Sequence, residues 1–248
     1  MANLSRWRHF WLRAIECLAQ SLPNRCLLCH QHLTDGSGIC CQCLASCLYR
    51  GPSCLGCGRG LTAEFGLCGS CRVLDALPVV APASYHQGLG HAIAGIKYQG
   101  QLAPLQCLCE ALLFRVCGLE RAGLVRPVSL LLPVPLHPKR LQQRGFNQAH
   151  EIALMLSRLS GIPVDGHLLG RSRNTPQQAG LSGKVRRQNL KNAFVINGVC
   201  RVGSVALVDD VVTTGSTVNE IARLLEAQGV AVQVWCLARA EAPGLLDS

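Results

Sequence analysis

Eight cysteines at one repeated spacing constrain this chain more than any other feature. Cys26, Cys29, Cys40 and Cys43 read C-x2-C-x10-C-x2-C, and Cys54, Cys57, Cys68 and Cys71 repeat that spacing 28 residues later. Cysteines separated by two residues sit on one tight turn, where both thiolates can face one ion. A second such turn completes a tetrahedral zinc site. Gly56, Gly58 and Gly69 stand beside or between the thiols, where the backbone must curl closely. The segment from Pro23 to Arg72 has too few large apolar residues to hold a core of its own. Metal binding would then supply its folding free energy. A disulfide framework is the alternative and requires an oxidising compartment. Arg13 and Glu16 break any apolar run that would act as an export signal, so a cytoplasmic chain with two structural zinc ions is expected. The spacing leaves the pairing open. Sequential sites are simplest, and a crossed arrangement joining the first and third turns also satisfies it. The other eight, Cys17, Cys41, Cys47, Cys107, Cys109, Cys117, Cys200 and Cys236, show no ligand spacing and read mostly as small buried hydrophobes.

Four segments follow from the pattern of the whole 248-residue chain: an amphipathic helix over 1–22, a double zinc ribbon over 23–75, an α/β domain over 76–240 and a loose tail over 241–248. In the first, Leu4, Trp7, Trp11, Ile15, Leu18 and Leu22 make one helical stripe flanked by arginines. Such a helix packs on its own protein or, as the alternative, lies on a membrane surface or a partner. No apolar run approaches the roughly 18–20 residues of a membrane span. After Arg72 the cysteine density falls and strands alternate with helices. Strands are expected at Val79–Tyr85, Ser129–Val134, Ile162–Val164, Val205–Val208 and Val230–Leu237. Helices are expected at Gly88–Tyr98, Leu102–Val116, Asn147–Leu159 and Ser216–Ala227. That alternation predicts a parallel sheet with flanking helices, whose ligands sit beyond the carboxyl ends of the strands.

The stretch Val205-Ala-Leu-Val-Asp209-Asp210-Val-Val-Thr213-Thr214-Gly215-Ser216-Thr217 has the chemistry of a phosphorylated-sugar site. A helix start offers N–H groups and a positive dipole end to a phosphate. Thr213, Thr214, Ser216 and Thr217 add hydroxyls, and Gly215 lets the backbone approach the anion. Asp209 and Asp210 suit ribose hydroxyls, directly or through a divalent cation. The plainer reading, two acids capping a helix, leaves the rest of the string unexplained. The string resembles the phosphoribosyl pyrophosphate (PRPP) motif of type I phosphoribosyltransferases. That resemblance implies that Asp209 and Asp210 hold the ribose, that residues Thr213 to Thr217 cradle its 5-phosphate, and that Mg²⁺ bridges sugar and pyrophosphate.

The net charge of +10 is concentrated: from His137 to Lys191 there are ten Lys and Arg against Glu151 and Asp165. This is an anion-binding surface unless it is merely a solvated face. Lys139, Arg140 and Arg144, expected on a loop after the Ser129 strand, would meet a pyrophosphate. Arg171, Arg173, Arg186 and Arg187 flank a polar stretch, Asn174 to Lys184, suited to a closing loop. The Leu132–Arg140 run, Arg144-Gly-Phe-Asn-Gln148, Ile96-Lys-Tyr-Gln-Gly100 and the paired C-x2-C ribbons together resemble the ComF/GntX family over roughly residues 23 to 239. The resemblance implies a PRPP-binding, phosphoribosyltransferase-like protein linked to DNA uptake or use, with single-stranded DNA and competence or DNA-processing proteins as partners. Whether it transfers the phosphoribosyl group, and to what acceptor, the resemblance leaves open. The alternative it allows is a non-catalytic DNA-handling or PRPP-sensing protein.

Overall fold

Four parallel strands form the centre of the molecule, in the spatial order Val79–Val80, Ala231–Arg239, Ser204–Val212 and Leu130–Pro133. The computed structural model describes residues 25–33, 38–63, 66–172 and 192–241. The expected helix over 1–22, Arg173, Arg186, Arg187, the polar stretch from Asn174 to Lys184 and tail residues 242–248 lie outside the described residues. The elements are α1 (Cys41–Cys47), α2 (Gly69–Val73), β1 (Val79–Val80), α3 (Gly90–Gln99), α4 (Leu105–Arg121), β2 (Leu130–Pro133), α5 (Pro138–Arg144), α6 (Gln148–Ser160), β3 (Leu169–Arg171), β4 (Phe194–Ile196), β5 (Ser204–Val212), α7 (Ser216–Glu226) and β6 (Ala231–Arg239). β3 and β4 form a separate antiparallel pair.

The central strands are buried on both faces, so their sequences read as continuous apolar runs rather than alternating ones. The period-two geometry still sorts their side chains. Ala206 and Val208 join Leu131, Trp235 and Leu237 under α4 and α6, with Leu108, Leu112, Ile152 and Leu156. Val205 and Leu207 join Leu132, Val234 and Cys236 under α7, with Val218, Ile221 and Leu225. Helices thus cover both faces of the sheet, the arrangement expected from alternating strands and helices.

Several boundaries differ from expectation for identifiable reasons. The Val79 strand ends at Val80, because Pro82 has no N–H and its carbonyl accepts from Tyr49 N at 3.0 Å. Only a single bridge, Leu131 to Val164, represents the short strand expected at Ile162. β5 runs four residues further than Val208, since pairing with β6 continues to Val212 opposite Arg239. Asp209 and Asp210 are therefore strand residues rather than residues following a strand. The segment expected as a basic loop is the helix α5. The His137 side chain caps it, Pro138 opens it and Gly145, at φ 80°, closes it.

The cysteine segments do not stand apart from this core. Cys26, Leu33, Ile39, Cys47 and Leu55 are buried in the same cluster as Leu105, Leu108 and Leu112. At Gly38, φ is +70°, and an added Cβ would lie 2.7 Å from Pro104 N and 2.8 Å from the Ala103 carbonyl carbon. Those neighbours are backbone and cannot rotate away. Gly38→Ala is expected to destabilise the chain by about 2 kcal/mol or more, from left-handed strain plus the clash. A urea titration with metal held saturating measures it; an unchanged midpoint would show that the cysteine segment does not seat on α4.

Candidate functional site

Two arrangements of side chains carry chemistry: the cysteine groups, and a cavity at the carboxyl end of the sheet. Cys26, Cys29, Cys40 and Cys43 converge, and so do Cys54, Cys57, Cys68 and Cys71, with all Sγ atoms of a group within 4.8 Å of one another. The pairing is thus sequential, and the crossed alternative is excluded. A tetrahedral ion with Zn–S near 2.3 Å has thiolates about 3.8 Å apart. Cys29 and Cys40 are 3.8 Å apart, as are Cys57 and Cys68. Both groups fit zinc ribbons.

Backbone donors prepare the groups for a cation. Cys26 Sγ accepts from Leu28 N and Cys40 N, each at 3.4 Å, and Cys54 Sγ accepts from Cys68 N at 3.1 Å. Burial opposes ionisation of Cys26, yet these N–H groups hold its thiol down at about 6; the same balance puts Cys54 at about 7. Cys43 is pushed up, first by its hydrogen bond with Cys40, and Cys71 is pushed up, first by burial. One thiolate per group is favoured while Cys43, Cys57 and Cys71 resist ionising beside it, so four thiolates together call for a cation. Of the remaining cysteines, Cys47, Cys107, Cys109, Cys200 and Cys236 are buried, while Cys41 and Cys117 are exposed.

The cavity measures about 430 Å³. β5 brings Asp209 and Asp210 into its wall, and the turn after it brings Thr213 and Thr217. α5 presents Arg140 and Arg144, one helical turn apart, while Lys139 is exposed and lies outside the lining. Arg171 at the end of β3 and Lys97 on α3 complete the cationic side. Tyr85, Val134, Pro135 and Leu136 form an apolar wall. Beside it a smaller hollow of about 40 Å³ is bounded by Asp209 and the run from Val211 to Val218, which includes Thr214, Gly215 and Ser216. Gly215 adopts φ 71°, the left-handed conformation its turn needs before α7 begins. Thr214 Oγ1 and Ser216 Oγ are 2.7 Å apart.

Sequence reasoning gave no role to Lys97 or Gln148, although both stand in the strings that carry the family resemblance. Lys97 Nζ lies 3.0 Å from Asp210 Oδ2. Gln148 Nε2 donates to Lys97 O at 3.0 Å, and Arg144 Nη1 donates to Gln148 Oε1 at 3.4 Å. Asn147 caps α6 through Ala149 N at 3.1 Å and donates to Val134 O at 3.1 Å, fixing that helix to the end of β2.

Like charges crowd on both sides of the cavity. Burial, and then the neighbouring Asp210 carboxylate, push Asp209 up to about 8. Burial, and then Arg140, lower Arg171 to about 10; burial, and then Arg144, lower Arg140. A polyanion relieves the cationic side and a divalent cation relieves the carboxylates. One consequence concerns stability. Asp209 is raised above the ordinary carboxyl value, so the folded chain keeps a proton that the unfolded chain has already lost. The stabilising contribution is full at low pH and is lost as pH rises from the ordinary carboxyl range to about 8. Asp209→Asn removes that loss. Its melting temperature is expected to exceed wild type by more at about pH 9 than at about pH 5, by roughly 2–4 °C for each kcal/mol recovered. A constant difference across pH would place Asp209 in water rather than in a crowded, dry site.

No protein-family model matches the sequence. The chain is 38% identical over 223 residues to "Competence protein F" of Haemophilus influenzae, covering 87% of this chain and 97% of that one. It is 36% identical over 225 residues to "DNA utilization protein YhgH" of Escherichia coli K12, covering 88% and 98%. "Competence protein ComFC" of Bacillus subtilis is 35% identical over 108 residues, 42% of this chain and 41% of that protein. Among solved structures, adenine phosphoribosyltransferase of Leishmania tarentolae is similar with 15% identity and a TM-score of 0.34, over 60% of this chain and 75% of the other. Among the described residues, no helix is long and apolar enough to cross a membrane.

Proposed function

The chain belongs to the family of competence protein F and the DNA utilization protein YhgH, and from that premise we propose that its cavity binds phosphoribosyl pyrophosphate with a divalent cation, Mg²⁺ being the ordinary partner of such a ligand. The observation that carries this reading is the division of one cavity into a carboxylate pair on β5 and a cationic side of Lys97, Arg140, Arg144 and Arg171. PRPP needs both halves: vicinal ribose hydroxyls for the acids, and a pyrophosphate for the cations.

In this reading Asp209 and Asp210 hold the ribose rim and would hold the cation, which would offset charge on the pyrophosphate. The turn from Thr213 to Thr217 takes the 5-phosphate at the head of α7. Arg140 and Arg144 take the pyrophosphate with forked contacts, and Lys97 exchanges Asp210 for it. Lys139, being exposed, contributes only to the field that draws the anion in. If the protein transfers the phosphoribosyl group, these residues orient PRPP and stabilise the departing pyrophosphate. The relatives are named for competence and for DNA utilization; in this reading the ligand serves DNA uptake or use, with single-stranded DNA as the macromolecular partner and the cytoplasm as the place of action. Phosphate contacts by Lys and Arg make such DNA binding salt-sensitive.

The test is calorimetric titration of the zinc-loaded protein with PRPP in the presence and absence of Mg²⁺, followed by a pyrophosphate-release assay with a panel of bases and amines. Mg²⁺-dependent saturable binding is the expected result. Acceptor-dependent release then marks an enzyme, and binding without release marks a sensor or DNA-handling protein. Failure of PRPP to bind with Mg²⁺ present overturns the reading.

A further inference from the structure

The second cysteine group touches the sheet at a point that also shapes the cavity. Arg239, the last residue of β6, is 7% exposed. Its Nη1 donates to Leu55 O at 3.0 Å and its Nη2 to Gly56 O. Leu55 and Gly56 are the two residues between Cys54 and Cys57, so both carbonyls belong to a metal-binding turn. Arg239 Nε has no hydrogen-bond partner among the described residues, so the guanidinium's hydrogen bonds there rest on these carbonyls. Leu55 O also accepts from Val79 N at 2.9 Å, tying the same turn to β1.

Glu241 makes a second joint. The sequence places it in a loose tail, but it is 5% exposed and accepts from Ser84 Oγ at 2.7 Å and from Tyr49 O–H. Burial, then Glu241 itself, push the Tyr49 hydroxyl up, so it stays a donor. Gly58, one residue after Cys57, is pressed onto both. At φ +83°, an added Cβ would lie 2.6 Å from Glu241 Cγ and 2.9 Å from Arg239 Cδ. The joints connect directly to cavity walls. Arg239 N donates to Ala83 O at 3.0 Å, and Ala240 N donates to Val212 O at 2.9 Å. Ala240 lines the cavity, and Ser84 precedes Tyr85, which lines it too.

We propose that Arg239 and Glu241 are positioning residues that make the ligand cavity depend on the metal of the second cysteine group. With that metal bound, the Cys54–Cys57 turn presents its two carbonyls at fixed points, and the ends of β1, β5 and β6 are held together. Without it the turn loses its geometry, a buried arginine loses its acceptors, and the strand ends beneath the cavity open locally. Among the described residues the first group meets the sheet differently, through the bridge from Leu48, after α1, to Ala83. It seats through Gly38 on the start of α4 and through Cys47 beside Gly88. Binding free energies are reciprocal, so the ligand in turn tightens the second metal. That last consequence rests on the PRPP reading; the structural dependence does not.

Two variants under native conditions test the proposal. Cys57→Ser breaks the second metal group and Cys29→Ser the first. Hydrogen exchange at the Arg239 and Ala240 amides is expected to accelerate at least about tenfold in Cys57→Ser, an opening easier by roughly 1.4 kcal/mol. In Cys29→Ser the same amides should exchange at the wild-type rate. Should Cys57→Ser fail to fold, Arg239→Lys keeps every metal ligand and the positive charge but cannot span both carbonyls. It should release one of two zinc ions to a chelator about tenfold faster and leave the other unchanged. Unchanged exchange in Cys57→Ser, or unchanged zinc release in Arg239→Lys, overturns the proposal. PRPP affinity in the same variants separates the two ideas. PRPP that fails to bind even wild type, with the exchange effect present, sinks the ligand reading and leaves the brace standing. PRPP that binds Cys57→Ser and wild type equally sinks the brace.

Discussion

Removing both metal ions under reducing conditions is expected to lower the melting temperature of the whole chain, as a single transition, by about 10 °C or more. The sequence suggests otherwise. Read alone, the cysteine segment is a separate metal-dependent module, and a chelator should unfold residues 23–72 and spare the α/β domain. The structure removes that separation. Cys26, Leu33, Ile39 and Leu55 sit in one cluster with the α4 residues Leu105, Leu108 and Leu112 and the strand residues Val80 and Trp235. Arg239 adds two polar joints to the second ribbon, and Gly58 of that ribbon packs on Glu241. Unfolding the ribbons uncovers apolar surface at about 25 cal/mol per Å² and leaves a buried arginine without acceptors. A chain of this size loses roughly 2–4 °C for each kcal/mol, and structural zinc sites contribute several kcal/mol apiece or more. Scanning calorimetry with and without chelator is the measurement. Two transitions, the upper at the temperature of the metal-loaded protein, would show that the shared core does not couple the ribbons to the sheet.

What could be read from sequence was local. The cysteine spacing lies within 18 residues for each group, and it leads directly to the sites. The run Val205 to Val208 is apolar because both faces of its strand are covered, and the acids and hydroxyls that follow carry their chemistry in order. What could not be read depends on residues distant in the chain. Lys97 meets Asp210 because α3 and β5 converge at one end of the sheet, and Arg239 reaches Leu55 across 184 positions. No periodicity encodes such meetings. Helix α5 was hidden for another reason. None of its residues is buried, so it has no apolar stripe; its only signals are Pro138 at the start and Gly145 at the end. The pair β3 and β4 is short, three residues each, and interrupted by a long insertion, below what alternation can detect.

The sharpest separation of roles within the cavity comes from removing the two acids and the two α5 arginines in turn. Asp209→Asn with Asp210→Asn should weaken Mg²⁺-dependent PRPP binding about a hundredfold or more. Each lost charge-assisted contact is worth roughly 1.5–3 kcal/mol, and about 1.4 kcal/mol is tenfold. The same variant should bind inorganic pyrophosphate without Mg²⁺ as well as wild type or better. The Asp210 carboxylate has left the neighbourhood of a polyanion, and Lys97, 3.0 Å from Asp210 in the native chain, no longer shares its charge with it. Arg140→Met with Arg144→Met should weaken both ligands together, because the pyrophosphate is common to them. The divergence is the discriminating result: a general loss of folding lowers every affinity at once and spares neither ligand. Isothermal titration of both variants with both ligands reads them. If the double asparagine variant binds PRPP and Mg²⁺ normally, β5 does not hold the sugar, and the division of the cavity into acidic and basic halves has no functional meaning.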